Sequence, residues 1–465
     1  MSMGRLTLFW TDALVYLLVA MVAGFIWYVG SREHLRRPWR QIVGDKVAMV
    51  SLLVLMAFSG IGLLDSVHFY PAVEEGKGGN EAISLFDWWA TPMRTHDEKT
   101  YSRPFAAVSY SREFLVRPDG SQGWEYPRLA HGGAHLRDPD VERGPDIART
   151  VADGFVKGGL LWAVCAAGLC GWLTVRGGRS WWRTLWDVAE DRTETPWRAL
   201  LATLLLLLSC GWALAELSAS YHVLGTDKVG QDVFYQSLKS IRTGLVIGTL
   251  TTLVMLPFAL VLGILAGFFP GWVDDVIQYL YTTLNSIPSV LLIAAAILMM
   301  QVYMANHEAD FASLAVRADL RLLFLCGILG VTSWTGLCRL LRAETLKLRE
   351  MEFVQAARAL GVRPWVILAR HILPNVLHIV LISVVLDFSA LVLAEAVLSY
   401  VNIGVDPTTQ SWGNMINSAR LELAREPVVW WSLAAAFTFM FALVLAANLF
   451  ADAVRDALDP RRAEV

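Results

Sequence analysis

The sequence predicts an all-α, polytopic membrane protein of about nine spans. Three observations predict it. Apolar residues make up 55% of the chain and charged residues only 17%, with a positive mean hydropathy, a balance that soluble domains seldom show. The apolar residues are gathered into runs near the length, roughly 20 residues, that crosses the hydrocarbon core as a helix. Lys and Arg crowd the short segments after alternate runs, as expected where one membrane face is cytoplasmic.

The runs lie near 11–30, 45–65, 154–175, 199–220, 243–268, 275–304, 321–341, 372–400 and 428–450. Pro257 and Pro288 fall inside two of them, where a membrane helix tolerates proline and kinks are expected rather than breaks. Arg32, Arg36, Arg37 and Arg40 come after the first run, and Arg176, Arg179, Arg183, Arg192 and Arg198 after the third. Both segments are therefore expected in the cytoplasm. The same alternation puts Arg339, Arg342, Lys347, Arg349, Arg358, Arg363 and Arg370 inside, with Arg455, Arg461 and Arg462 of the tail, and the amino terminus outside. The first run lacks a small-residue cleavage signature, so a retained anchor is expected.

On this reading the chain divides into amino-terminal spans (1–65), an extracytoplasmic polar segment (66–150), a two-span hairpin with a cytoplasmic loop (151–221), a short extracytoplasmic helix (222–240), a main membrane domain (241–452) and a cytoplasmic tail (453–465). The aromatic patches of the polar segment, FDWWA and GWEYP, suit either a modest core or the membrane interface. His131 and His135 are spaced i, i+4 with Asp138 nearby, but the two glycines of HGGAH oppose the helix that a metal pair would need, and no metal site is expected.

No GxxxxGK[ST] loop occurs; its nearest imitation, EEGKGGNE at 74–81, lacks the hydroxyl residue, so the chain is not expected to hydrolyse nucleotide by itself. GxSxG and HExxH are absent too. Cys165, Cys170, Cys210, Cys326 and Cys338 lie in or beside apolar runs without ligand spacing, which suits packing rather than disulfides. The formal net charge of −3 says little about partners, and nucleic acid is not expected among them.

One segment is too polar to span and too patterned to be a loop: FVQAARALGVRPWVILARHILPN, beginning at Phe353. Phe353, Ala356, Ala357 and Leu360 share one helical stripe while Glu352, Gln355 and Arg358 face elsewhere. The paired alanines leave room for another surface to approach closely. Gly361 suits the left-handed residue that ends a helix, and Pro364 the first turn of the next. Trp365, Leu368, Ala369 and Ile372 continue the pattern, Arg370 and His371 stay polar, and Pro374 is expected to kink the chain into the next span. Patterning alone leaves lipid docking and protein docking open.

With FVQAARALG and then HILPN, this segment resembles the EAA coupling loop of ABC importer permeases, whose pattern is EAA, three residues, Gly, nine residues, then I-x-L-P. Ala356, Ala357, Gly361, Leu373 and Pro374 keep the spacing; Gln355 stands for the usual Glu and His371 for the first Ile. HVLGTDKVGQDVFYQSLKSIRTGLVIG (222–248) is similar to the external motif of the dipeptide and oligopeptide permease group, through Gly225, Thr226, Asp227, Gly230 and Asp232. Gln231, Tyr235 and Ser240 depart from it. AEAVLSYVNIGVDPTTQSWGNMI (394–416) resembles that group's later external loop, with Asn402 for Gly, and DAVRDALDPR (452–461) its cytoplasmic tail.

The resemblance implies a type I ABC importer fold with extra amino-terminal helices, in a bacterial inner membrane. It implies a second permease subunit, two ATP-binding subunits that hold the ATP and Mg, an extracytoplasmic substrate-binding protein, and peptides or peptide-like solutes as cargo. The loop 352–374 would dock on an ATPase subunit; Gln355 can hydrogen-bond there but form no salt bridge. Asp387 and Glu395 are the intramembrane polar candidates, since carboxylates at that depth face a cavity or a partner. Two other readings compete. A proton-coupled secondary transporter would use those two acids as a relay, though no internal repeat is seen. A membrane-anchored sensor built on 66–150 would leave the coupling motif without a purpose.

Overall fold

A computed structural model of the chain describes residues 3–31, 33–71, 82–116, 122–178, 180–307 and 313–458. Arg32, Arg179, Arg461, Arg462 and the EEGKGGNE stretch lie outside these residues. Strand β1 (Met3–Thr7) leads into helix α1 (Trp10–Gly30), the amphipathic α2 (Glu33–Gly44) and α3 (Lys46–Asp65), whose amino terminus is capped by Asp45 accepting from Ala48 N at 2.8 Å. The chain then forms β2 (His68–Pro71) and β3 (Ile83–Ser84). Because β2 pairs antiparallel with both β1 and β3, the amino terminus lies at the same end of the molecule as the polar segment.

That segment continues as α4 (Leu85–Trp89), begun by a reciprocal Ser84–Asp87 capping box, then α5 (Thr91–Thr95) and the hairpin β4 (Glu113–Val116) and β5 (Gln122–Glu125). Its aromatic patches divide between the two roles that patterning left open. Phe86 and Ala90 of FDWWA are buried, whereas Trp88 and Trp89, with Trp124 and Tyr126 of GWEYP, are exposed. Helix α6 (Pro139–Gly177), capped by Asp138, starts before residue 150, the boundary expected for the polar segment. It is joined by α7 (Trp181–Ala189) to α8 (Trp197–Ser218), and α6 and α8 pack as a hairpin.

The centre of the molecule is α9 (Val233–Phe268), against which α3 packs from the amino-terminal side of the chain. The chain continues through α10 (Trp272–Ser286), α11 (Ser289–Asn306), α12 (Leu314–Ser333), α13 (Thr335–Arg349), α14 (Glu352–Ala359) and α15 (Pro364–Ile367). A π turn, Leu368–Ile372, then leads into α16 (Leu373–Tyr400), α17 (Trp412–Glu422) and α18 (Trp431–Leu458). Helices α12, α13, α16 and α18 also lie against α9, and its small residues allow the close approach: a Cβ on Gly263 or Gly267 would meet the α13 backbone within 2.8 Å.

Among the described residues, eight helices are long and apolar enough to cross a bilayer. The ninth expected run, 321–341, is shared between α12 and α13, and Arg317, Asp319 and Arg321 lower the apolarity of α12. The two prolines behave differently. Pro257 sits inside an unbroken α9, but at Pro288 the expected kink is a break, with Ile287 extended at φ −94°, ψ 130° between α10 and α11. Proline disfavours helical backbone at the residue before it, and here nothing downstream restores the register.

Candidate functional site

The segment from Phe353 is two helical pieces joined at Gly361, as patterning predicts. Gly361 has φ +73° with no atom near a would-be Cβ, so glycine is favoured there by backbone conformation alone. Pro364 occupies the first turn of α15. Pro374, however, does not mark a separate piece: helix runs continuously from Pro364 to Tyr400. The π turn ahead of it shifts the hydrogen bonding so that Leu373 N bonds Leu368 O, easing the ring into the ladder.

The expected apolar stripe divides in two. Ala357 is buried with Val354, which is fully enclosed, against a cluster that includes Phe268, Ile277, Leu341 and Ile372. Phe353, Ala356 and Leu360 are exposed, Leu360 at 83%, as is Trp365 at 67%. The inner face anchors the segment and the outer face is open. Arg358 stands over the Phe268 ring at 4.5 Å, Trp365 meets Phe269 at 6.3 Å between centroids, and Phe353 contacts His371 at 6.1 Å. Gln355 Nε2 donates to Glu350 O at 3.0 Å on the exposed side. Beneath these contacts Arg342 makes a two-pronged pair with Asp274, at 2.6 and 2.7 Å, which ties α13 to α10.

At the opposite end, the 222–232 loop is locked to the polar segment. Gly225 N bonds His222 O, and Gly225 O receives Val233 N, each at 3.1 Å. Thr226 is fully buried: Ser102 N donates to its hydroxyl at 2.7 Å, the hydroxyl donates to Thr100 O at 2.9 Å, and Trp431 Nε1 donates to its carbonyl at 2.9 Å. Asp227 accepts from Val229 N and Gln231 N at 2.9 Å, and from Gln236 Nε2 at 2.8 Å. Gly230 has φ +81°, and a Cβ there would overlap the Glu98 carbonyl. Asp232 caps α9 by accepting from Tyr235 N at 3.0 Å and also meets His222 Nδ1 at 2.8 Å.

His222 is thus held between two acids, with Glu98 Oε1 3.4 Å from its Nε2. Burial opposes its protonation, but Asp232 and Glu98 outweigh it and push its pKa up to about 9. Burial likewise opposes ionisation of Glu98, yet His222 and the N–H groups of Gly132, Ala130 and His131 bring its pKa down to about 2. The histidines of HGGAH go to separate partners: His131 stacks on His96 at 4.5 Å, and His135 meets Asp146 at 2.9 Å.

Of the intramembrane acids, Glu395 is buried and accepts from Ser399 Oγ at 2.7 Å, while Gly413 of α17 presses on Ser399 and Ala396. Asp387 is half-buried, with no hydrogen-bonding or ionic partner among the described residues. Among those residues no hydrogen-bonded chain joins the two acids, as a relay would need. Asn402 has φ +61°, a conformation Asn tolerates better than most side chains, which explains its standing where the resembled motif has Gly.

Pairing reveals a set of residues that motif reading passed over. Arg242 of α9 meets Asp12 of α1 at 2.6 Å and donates to Thr11 Oγ1 at 3.0 Å; Asp12 pairs with His68 at 2.8 Å, and Asp319 of α12 accepts from Trp10 N at 3.0 Å. One turn away, Lys239 pairs with Asp87 at 2.5 Å and lies 3.6 Å from Asp65. An aspartate inside the first apolar run was the available signal, since a charge at that depth calls for a partner.

Among known proteins, a family profile described as "binding-protein-dependent transport system inner membrane component" matches residues 259–464. The chain is similar to the glutathione transport system permease protein GsiD of Pectobacterium atrosepticum, 30% identical over 310 residues, spanning 60% of this chain and 95% of that protein. It is also similar to the oligopeptide transport system permease protein OppC of Mycobacterium bovis, 30% identical over 278 residues, spanning 56% and 89%. Among solved structures, an inward-facing MetNI methionine ABC transporter aligns at 17% identity over 47% of this chain and 93% of its own, with a TM-score of 0.33.

Proposed function

This chain belongs to the binding-protein-dependent transport system inner membrane components and is a multi-pass ABC importer permease of the peptide group; from that premise we propose that it forms half of a translocation pore for peptides or peptide-like solutes and is driven through the 352–374 loop. The observation that carries the reading is the divided stripe on α14. Burying Val354, Ile367 and Ile372 stabilises the loop by roughly 1.5–3 kcal/mol each, enough for it to move as one body with α9 and α13. Phe353, Gln355, Ala356 and Leu360 remain exposed to meet an ATPase subunit.

In this mechanism the ATP-binding subunits hold the nucleotide and its Mg, and this chain is not catalytic. Their closure presses on the exposed face of α14. Arg358 over Phe268, and Arg342 on Asp274, pass that displacement to α9 and α10. An extracytoplasmic binding protein delivers solute at the opposite end, where the 222–232 loop and the polar segment form one rigid surface. The amino terminus is external and the carboxyl terminus cytoplasmic, in keeping with β1 pairing to the polar segment.

Helix α3 takes the part of the group's first span. It packs on α9 and α18, whereas the α6–α8 hairpin packs on itself and on α3. The test is purification of the assembled transporter with its neighbouring ATP-binding subunits, and then uptake into vesicles. ATP-dependent uptake of peptide is expected, and failure to recover any ATP-binding subunit would overturn the proposal.

A further inference from the structure

Between α6 and α8, floored by α7, lies an apolar groove of about 690 Å³. Its wall on α6 is made of small residues, Ala163, Ala166 and Ala167 beside Trp162, and its wall on α8 of Leu201 and Leu205. The small side chains leave space between the helices unfilled, and Trp162 Nε1 donates to Leu201 O at 2.8 Å, holding the two helices at the groove's edge. Helix α7 is fixed beneath by Thr184 and Val188, which are buried, and by contact between Thr174 and Thr184 hydroxyls at 3.4 Å.

The rim of this groove is cationic. Arg198, at the start of α8, borders it, is exposed and has no ionic partner among the described residues; Arg183 on α7 does not line the groove but is likewise exposed and without an ionic partner among those residues. Two acids of the turn after α7 are already engaged, Glu190 by Arg192 at 2.6 Å and Asp191 by Lys46 at 2.5 Å; the third, Glu194, is exposed and does not line the groove. Trp182 and Trp186, one turn apart on α7, are both exposed, as interfacial tryptophans are. Arg198, Leu201 and Leu205 share one face of α8, so the groove runs roughly 10 Å from the arginine toward the membrane interior at 1.5 Å per residue.

Three occupants can be weighed on chemistry. Water does not fill a carbon-lined groove at bilayer depth. A protein helix seated there would bury Arg198 without a counter-charge, which is costly. A phospholipid satisfies both parts, because its chain fills the apolar groove and its phosphate accepts from the planar guanidinium at the rim. We propose that this groove is a binding site for an anionic phospholipid, with an acyl chain along Ala166, Ala167 and Leu205 and the phosphate on Arg198. The site lies wholly outside the coupling loop; resting on the proposed cytoplasmic sidedness of α7, the lipid comes from the cytoplasmic leaflet.

The test uses the full chain in its assembled complex, in nanodiscs containing phosphatidylglycerol or phosphatidylcholine that carries a photoactivatable diazirine on one acyl chain. Cross-linked peptides are identified by mass spectrometry. Phosphatidylglycerol is expected to label 162–170 and 201–205 in preference to phosphatidylcholine. Arg198→Glu should reduce that labelling by about fivefold or more, since each juxtamembrane cation contributes near 1 kcal/mol toward anionic lipid. Arg198→Lys should largely retain it, and Ala166→Trp should remove it by filling the groove with the arginine intact. Unchanged recovery of the ATP-binding subunits shows that each variant is folded. Equal labelling by the two lipids, insensitive to Arg198→Glu, would mean ordinary surrounding lipid and overturn the site. Absence of labelling in the assembled complex would show that another protein surface covers the groove, and overturns it too.

Discussion

Arg358 lies over the ring of Phe268, 4.5 Å from its centroid, so the segment expected to meet an ATPase subunit is fastened to the end of the most central helix. A cation over an aromatic face contributes about 0.5–2 kcal/mol, depending on its solvation. Phe268→Leu keeps most of the buried apolar volume and removes that attraction. Uptake per ATP hydrolysed should fall severalfold while the ATP-binding subunits still co-purify, measured by parallel uptake and phosphate-release assays. An unchanged ratio would remove Arg358 and Phe268 from the transmission path.

Leu360 and Ala357 stand on the same predicted stripe but face opposite ways. Leu360→Glu alters only an exposed side chain, so the protein should reach the membrane in normal amount and lose its ATP-binding subunits on purification. Ala357→Glu forces a charge into the buried side, at a cost of several kcal/mol, and should reduce the amount of folded chain itself. Membrane abundance and co-purification, measured together, separate the two effects.

The His222 lock has a pH window set by its two partners. Because the folded pKa of His222 is raised to about 9, its contribution to stability is complete below its unfolded value near 6.5 and disappears as pH rises through 9. Glu98, lowered to about 2, contributes above its unfolded value and loses its effect only in strong acid. Thermal unfolding of the purified protein should therefore show a falling midpoint between pH 7 and 9 that His222→Gln abolishes. A slope persisting in that variant would assign the effect to other groups.

Arg242 and Asp12 hold the first helix to α9. Asp12→Ala leaves a largely buried arginine short of its counter-charge, and such a loss costs up to about 3–5 kcal/mol. Replacing both residues with leucines should be far milder than either single change, because no orphan charge is left. Folded yield across the four combinations would give the coupling; simple additivity would deny it.

Glu395 is satisfied by Ser399, and among the described residues no hydrogen-bonded chain leads from it to Asp387. Glu395→Gln keeps a hydrogen-bonding side chain there, and uptake should survive it. Uptake should also persist when the proton gradient is collapsed with ATP maintained. Dependence on the gradient would revive a proton-coupled mechanism.

Much of this was legible in the linear order of residues. Hydrophobic runs do not depend on packing, so they revealed the membrane class, all but one of the expected spans and the amphipathic segment among them. Gly361 and Pro364 act within one or two residues of themselves, and their roles came from backbone chemistry alone. The short motifs led to the family because their spacing is a property of the chain.

What folding decided was which side chains meet. A stripe at helical spacing cannot say which of its members faces inward, so Ala357 and Leu360 looked alike until the bundle enclosed one of them. Arg242 and Asp12 lie 230 residues apart, in different helices, and only packing makes them a pair. The break at Pro288 and the continuity at Pro374 depend likewise on whether neighbouring backbone can take up the missing donor. The alanine-walled groove above α7 exists only because two helices stand side by side: local chemistry is written in sequence, but proximity is written in the fold.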